Sequence, residues 1–173
     1  MLKLIGAAVI LFSCSMVGWQ MGRYYAFRPL DIRTMIISLQ MLETEIVYGA
    51  TPLHRAMAKI GERMRAGIGR MFLTASELLT QEDEPQSTSE SWRQAIEKNW
   101  SQTAMRKSEK DILLTLGMVL GNSDRDDQQK HLRLAITHLQ GLEEEARSDK
   151  ERYEKMYKSL GFLGGLLVVI LML

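Results

Sequence analysis

Three histidines, one cysteine and a run of three glutamates are the residues whose types could carry chemistry in this chain of 173 residues. His131 and His138 stand seven apart, two turns along one helix face. A metal site asks for ligands three or four residues apart on a helix, or gathered from several helices, and no carboxylate-plus-histidine pattern accompanies this pair. They read as surface or boundary histidines, and His54 stands alone. Cys14 is the only cysteine, which excludes an internal disulfide and a cysteine-based zinc site. Inside an apolar run it reads as a small hydrophobe. Glu143, Glu144 and Glu145 read as a solvated helix face, and Trp92 and Trp100 as core anchors rather than ligand platforms. The twelve methionines fall mostly at apolar positions, not in a copper-binding pattern. No Walker loop, dinucleotide fingerprint, HExxH or nucleophile elbow occurs. The expectation is a protein that is not an enzyme, with no cofactor, no metal, no catalytic residue and no small-molecule substrate.

Composition narrows the class further. The net charge of +1 carries none of the basic excess of a nucleic-acid binder, so no nucleic-acid partner is expected. Only three prolines occur, and the stretches between them are rich in helix formers. No alternating β-branched run appears in the middle of the chain, which points to an all-α fold.

Apolar periodicity predicts six helices between the two ends. The first covers about Leu30 to Tyr48, with Ile32, Met35, Ile36, Leu39, Leu42 and Ile46 on one stripe. Gly49 ends it, and Thr51-Pro52 opens the second, about Pro52 to Arg65, as cap and first-turn proline. Gly67 and Gly69 break or kink the chain before a third helix from about Ile68 to Leu79. Gln81 to Glu90 is an acidic, Ser/Thr-rich loop around Pro85. The fourth helix is about Glu90 to Trp100, and the fifth is about Lys107 to Leu120, where Ser108 and Asp111 are spaced like a capping box. Gly121 stops it. Ser123 is the expected cap of the last helix, with Asp124, Asp126 and Asp127 favourable at its positive end. That helix carries Leu132, Ala135, Ile136, Leu139, Leu142 and Ala146 inward, then continues as a stalk dense in opposite charges.

The two ends read as membrane spans. No charge interrupts Leu4 to Met21, about the 20 residues needed to cross roughly 30 Å of hydrocarbon, and Trp19, Tyr24 and Tyr25 cluster at its end. A signal peptide lacks its A-x-A-like site here. A lipobox at Leu11 to Cys14 would place bulky Phe12 where a small residue belongs, and the apolar run continues past it. Leu160 to Leu173 is shorter, about 21 Å as a helix, and needs Tyr157 and snorkelling Tyr153, Lys155 and Lys158 to close the gap. Gly18 and Gly22, and Gly161 and Gly165, would let these spans pack closely on each other or on a partner's. Arg23, Arg28 and Arg33 follow the first span, and Lys150, Arg152, Lys155 and Lys158 precede the second. The positive-inside rule then puts the middle in the cytoplasm. The domain division expected is a transmembrane helix over 1–24, a cytoplasmic bundle over 25–152 and a second transmembrane helix over 153–173.

Three stretches, EIVYGATPLHRAM (Glu45 to Met57), LGNSDRDDQQKHL (Leu120 to Leu132) and KMYKSLGFLGGLLVVILML (Lys155 to Leu173), resemble the stage III sporulation protein AB family of endospore-forming bacteria. With the N-terminal span, the resemblance covers nearly the whole length. That family is similar to the cytoplasmic domain of the platform proteins of type II secretion and type IV pilus machines, and the turn of Gly49, Pro52 and Leu53 is similar to one there. The resemblance implies a six-helix antiparallel bundle, held at the mother-cell membrane, serving as a platform in the channel joining mother cell and forespore. It implies protein partners as well: a secretion-type cytoplasmic ATPase, neighbouring proteins of the same sporulation complex, or both. It implies no catalytic residue. Glu45, Gly49, Pro52, Gly121, Asp124 and Gln128 match the recurrent motifs. Gly49 and Gly121 do so as helix stops, Pro52 as a first-turn residue and Asp124 as part of a cap; Glu45 and Gln128 are the candidate partner contacts. The alternative reading is a membrane-tethered helical adaptor unrelated to secretion.

Overall fold

The apolar stripes do form helices. The computed structural model describes residues 2–49, 51–81, 87–121 and 123–172, and among them six α-helices and no strand. They are α1 (Leu2–Tyr48), α2 (Leu53–Arg63), α3 (Ala66–Leu79), α4 (Thr88–Asn99), α5 (Lys107–Gly117) and α6 (Arg125–Met172), with a 3-10 turn at Trp100–Gln102. They fall into two compact units, one of Leu30–Glu143 and one of Met1–Pro29 with Glu144–Leu173.

In the Leu30–Glu143 unit, α2 packs on α3, α3 on α4, and α4 on α5. Ile32, Met35, Leu39 and Leu42 of α1 are fully buried, as are Met57 and Ile60 of α2, Met71 and Phe72 of α3, Leu113 of α5, and Leu132 and Leu139 of α6. At the centre is Trp92 of α4, which has no exposed surface. Its ring meets Phe72 edge to face, with centroids 5.2 Å apart, a geometry that aromatic pairs prefer. Its indole N–H donates to the Leu113 carbonyl at 2.8 Å, so the one polar atom of this side chain is satisfied. Gly117, one turn on from Leu113, leaves room for the ring: a Cβ there would lie 2.4 Å from Trp92 Cδ1.

Several local expectations are corrected. The first bundle helix does not begin at Leu30; α1 runs unbroken through Pro29. Proline forfeits one backbone bond and crowds the preceding turn, yet a helix survives it where tertiary packing holds both sides. Here Pro29 is buried, and the equally buried Arg28 guanidinium lies 3.5 Å from both Glu145 and Asp149. Arg28 is thus engaged by α6. Gly67 and Gly69 do not break the chain; they sit in the first turn of α3. The break falls at Met64–Arg65, and the glycines serve close approach. A Cβ on Gly69 would lie 2.6 Å from the Gly61 carbonyl oxygen, and one on Gly61 only 2.7 Å from Leu73 Cγ. The fifth helix ends at Gly117 instead of Leu120, and its cap is not the Ser108/Asp111 pair. The buried Glu109 accepts from the Arg106 N–H at 2.7 Å and from Ser108 Oγ at 3.1 Å. The last helix is capped by Asp124, not Ser123: its Oδ1 accepts from the Asp127 N–H at 2.8 Å.

Among the described residues, no helix is long and apolar enough to cross a membrane. The side chains of both expected spans fall almost entirely outside the described ones, including Cys14, Trp19, Tyr24, Tyr25, Gly18, Gly22, Gly161 and Gly165. Pro85 and its neighbours 82–86 also lie outside the described residues; Ser87, on their far side, caps α4 by accepting from the Glu90 N–H at 3.2 Å.

Two outcomes follow. Gly117→Ala forces a methyl into the Trp92 ring and should destabilise the fold by about 1–3 kcal/mol, the usual range for overpacking. Urea unfolding of the full chain in mild detergent, followed by tryptophan fluorescence, reads this directly; an unchanged midpoint would contradict the packing. Asp31 accepts from the Ala104 N–H at 2.8 Å, and burial, opposed by that bond and by Arg65, holds its carboxyl above the ordinary range. A raised carboxylate pKa means that stability is fully present below the unfolded value and lost as pH rises through the folded one. Asp31→Asn keeps an acceptor without the charge. It should therefore be more stable than the parent at pH 7, with the advantage shrinking as pH falls toward the ordinary carboxylate range; an advantage that grows on acidification would refute the sign.

Candidate functional site

Two turns of the Leu30–Glu143 unit meet. The chain leaves α1 at Gly49, and a Cβ there would lie 2.3 Å from the Glu45 carbonyl oxygen, which accepts the Gly49 N–H at 2.9 Å. Only a glycine fits so tight an exit. Pro52 follows as the N-cap of α2 rather than its first helical residue, its carbonyl accepting from the Arg55 and Ala56 N–H groups. At the second turn Gly121 has φ +77°, the left-handed region in which a side chain is strained. A Cβ there would also lie 2.4 Å from Thr88 Oγ1, at the start of α4. Asp124 then caps α6, and Gln128 reaches back to donate from Nε2 to the Ser123 carbonyl at 2.8 Å.

Between the two turns is a cleft of about 160 Å³. Glu45, Ile46 and Gly49 line it from α1 and its exit, Thr51, Leu53 and Ala56 from the start of α2, and Gly121, Arg125 and Gln128 from the second turn. Four of the six motif residues thus share one site although the chain separates them widely: Glu45, Gly49, Gly121 and Gln128. Pro52 and Asp124 belong to the two turns without lining the cleft.

The polar groups of the cleft are mostly committed. Glu45 pairs through Oε1 with Lys59 Nζ and through Oε2 with the Thr51 hydroxyl, which donates at 3.2 Å. The bond from Lys59, which outweighs partial desolvation, holds the Glu45 carboxyl below its ordinary range, with Thr51 and the charge of Arg63 adding to it. Such a carboxylate is a poor general base. Gln128 is occupied by the turn it staples. Arg125 differs: it is the first helical residue of α6, exposed, and forms no ion pair among the described residues. Sequence reasoning passed over it. The signal available was a cation in the first turn of a helix, where the dipole disfavours one.

His131 and His138 line a different depression of about 300 Å³ between α5 and α6, with Asp111, Ile112, Leu116 and a half-exposed Leu134. His131 Nε2 lies 3.8 Å from Asp127 Oδ1, and no group of three potential ligands that could hold a metal occurs among the described residues. None of the six motif residues reaches this groove.

The fold and cleft describe an all-helical bundle protein with a recess between two glycine turns. Residues 3–173 match the family model of stage III sporulation protein AB, and the chain belongs to that family. It is 40% identical over 173 residues to stage III sporulation protein AB of Bacillus subtilis (strain 168), with all of both chains aligned. A solved structure of a stage III sporulation protein AB superposes with a TM-score of 0.68 at 36% identity, covering 73% of this chain and 98% of that one.

The second turn yields a thermodynamic test. Gly121→Ala should lose about 1–2 kcal/mol from the backbone alone, and more from the Thr88 contact. Thr88→Ala, introduced into that variant, should recover part of the second loss and none of the first. A double-mutant cycle on urea midpoints separates the two; strictly additive effects would show that the side chain of Thr88 does not press on this turn.

Proposed function

We propose that this chain is a non-enzymatic membrane platform of a secretion-like channel complex between mother cell and forespore during endospore formation. On this reading the apolar ends cross the mother-cell membrane, the bundle faces the cytoplasm, and the cleft receives a protein partner. That partner is a secretion-type ATPase or a neighbouring protein of the same sporulation complex. One observation carries the reading. Motif residues from two distant stretches converge on a preformed recess whose carboxylate and amide are already satisfied by the protein's own groups. A recess so built is suited to docking: it offers shape, an apolar floor and little that must reorganise. Membership of a sporulation family supplies the setting. The uninterrupted apolar runs at both ends, flanked on their inner sides by basic residues, support retention in a membrane with the bundle inside.

Topology tests this first, because a cytoplasmic ATPase can reach only a cytoplasmic bundle. Gly141 is exposed, and nothing lies within 4 Å of where its Cβ would be, so a cysteine there disturbs nothing. With Cys14→Ala and Gly141→Cys in place, intact protoplasts of a sporulating host are treated with a membrane-impermeant maleimide. The expected result is protection in intact cells and full labelling after lysis. Labelling of intact cells would put the bundle outside and sink the platform reading.

A further inference from the structure

The cleft's dimensions and unspent charge say what kind of segment it fits. A volume of about 160 Å³ is well below the roughly 300–1,000 Å³ of a small-molecule or cofactor pocket. It suits one aliphatic side chain, and the floor beneath it is apolar: Ile46, Leu53 and Ala56. The rim is low on two sides, because Gly49 and Gly121 can carry no side chain, so a partner's backbone can approach closely there.

The electrostatics are one-sided. Glu45 is neutralised by Lys59 and attracted further by Arg63. Arg125 is exposed, without an ion pair among the described residues, and stands at the positive end of the α6 dipole, where a cation is unfavourable. Of the aspartates on that turn, Asp124 is engaged in the cap, Asp127 lies beside His131 and Asp126 is exposed, but none of the three lines the cleft, whereas Arg125 does. An incoming carboxylate would relieve the unfavourable placement of Arg125, and an incoming ammonium would worsen it.

We infer that the cleft takes a partner-protein segment presenting an aspartate or glutamate beside one Leu- or Met-sized side chain. The carboxylate pairs with Arg125, and the apolar side chain sits over Ile46, Leu53 and Ala56. This inference rests on the reading of the cleft as a docking point, and adds which chemistry is selected there. Guanidinium–carboxylate pairing is directional and can be bidentate, so Arg125 would set the register of the docked segment as well as its affinity.

The test uses the full chain in lipid nanodiscs and, as probe, the purified secretion-type ATPase of the same complex, with binding measured at 50 and 300 mM salt. The parent should bind and weaken with salt. Arg125→Glu should weaken binding more than tenfold at low salt and flatten the salt dependence, and Arg125→Lys should stay within a fewfold of the parent. Leu53→Ala should weaken binding while leaving the salt dependence intact. Unchanged urea midpoints confirm that the exposed Arg125 variants are folded. Parent binding that Arg125→Glu leaves unchanged, or strengthens, overturns this inference alone and leaves the platform standing. No binding of the parent at either salt, by the ATPase or by the neighbouring proteins of the complex used in its place, overturns the docking reading and this inference with it.

Discussion

The seat of Trp92 against Gly117 is the constraint on which the rest of this bundle depends. An indole is too large and too rigid to be accommodated by small adjustments, so the helix facing it must present a gap at one register. Gly117 is that gap, and the indole N–H bonded to the Leu113 carbonyl holds α5 from sliding a turn in either direction. Once α5 is registered on α4, the position of the chain beyond it is determined within a few residues. Thr88, one turn before Trp92 on the same helix, then meets Gly121 where a Cβ would not fit. Two points on α4 therefore place the turn that opens α6. That turn is half of the cleft.

The other half is made by a different economy. Gly49 closes on the Glu45 carbonyl, and Glu45 spends its carboxylate on Lys59 of α2 and on Thr51 between the helices. One residue therefore shapes the exit of α1 through its backbone and ties α2 to it through its side chain. Lys59 is exposed, and an ion pair with one end open to solvent adds little to global stability. Its effect is geometric: it holds the start of α2, with Leu53 and Ala56, at a set distance from α1. On the far side Gln128 does the corresponding work by bonding the Ser123 carbonyl. Neither residue was legible in the sequence as a staple, because a glutamate and a glutamine near helix ends are compatible with contact, capping or plain solvation.

What could be read from the sequence follows from what is local. The stripes that periodicity marked as inward, Met35 with Leu39 and Leu42, and Leu132 with Leu139, are fully buried, because a 3.6-residue period has one way to hide. The stops at Gly49 and Gly121 were visible for the same reason, each being a backbone event within one turn. What escaped depends on a neighbour distant in sequence. Pro29 looked like a helix boundary, and its tolerance within α1 needs packing that no local rule describes. Gly67 and Gly69 looked like breakers, whereas the second admits Gly61 of α2 at a distance no other residue allows. Asp111 looked like a cap partner, yet the buried Glu109 took that role. Of the cleft, four residues stand out in the recurrent motifs, but nothing in their spacing says that they converge, and Arg125 carries no such mark.

Arg125 also explains why the two halves of the cleft need not be equivalent. A recess whose polar groups are all satisfied binds by shape and apolar contact, and discriminates poorly among segments of similar size. One unsatisfied charge changes this, because the wrong partner then leaves it unpaired or meets it with like charge, and either carries a penalty. The charge must also be held without a partner in the free protein, which is where its position matters. In the first turn of α6 the guanidinium has an exposed seat, so it can wait unpaired at modest expense while the committed pairs around Glu45 keep the floor in shape. Preorganised walls with a single unspent group confine selectivity to one contact. Under the proposed docking role, such a site would change its partner by substitution at that one position without disturbing the glycine turns and the Trp92 packing that build it.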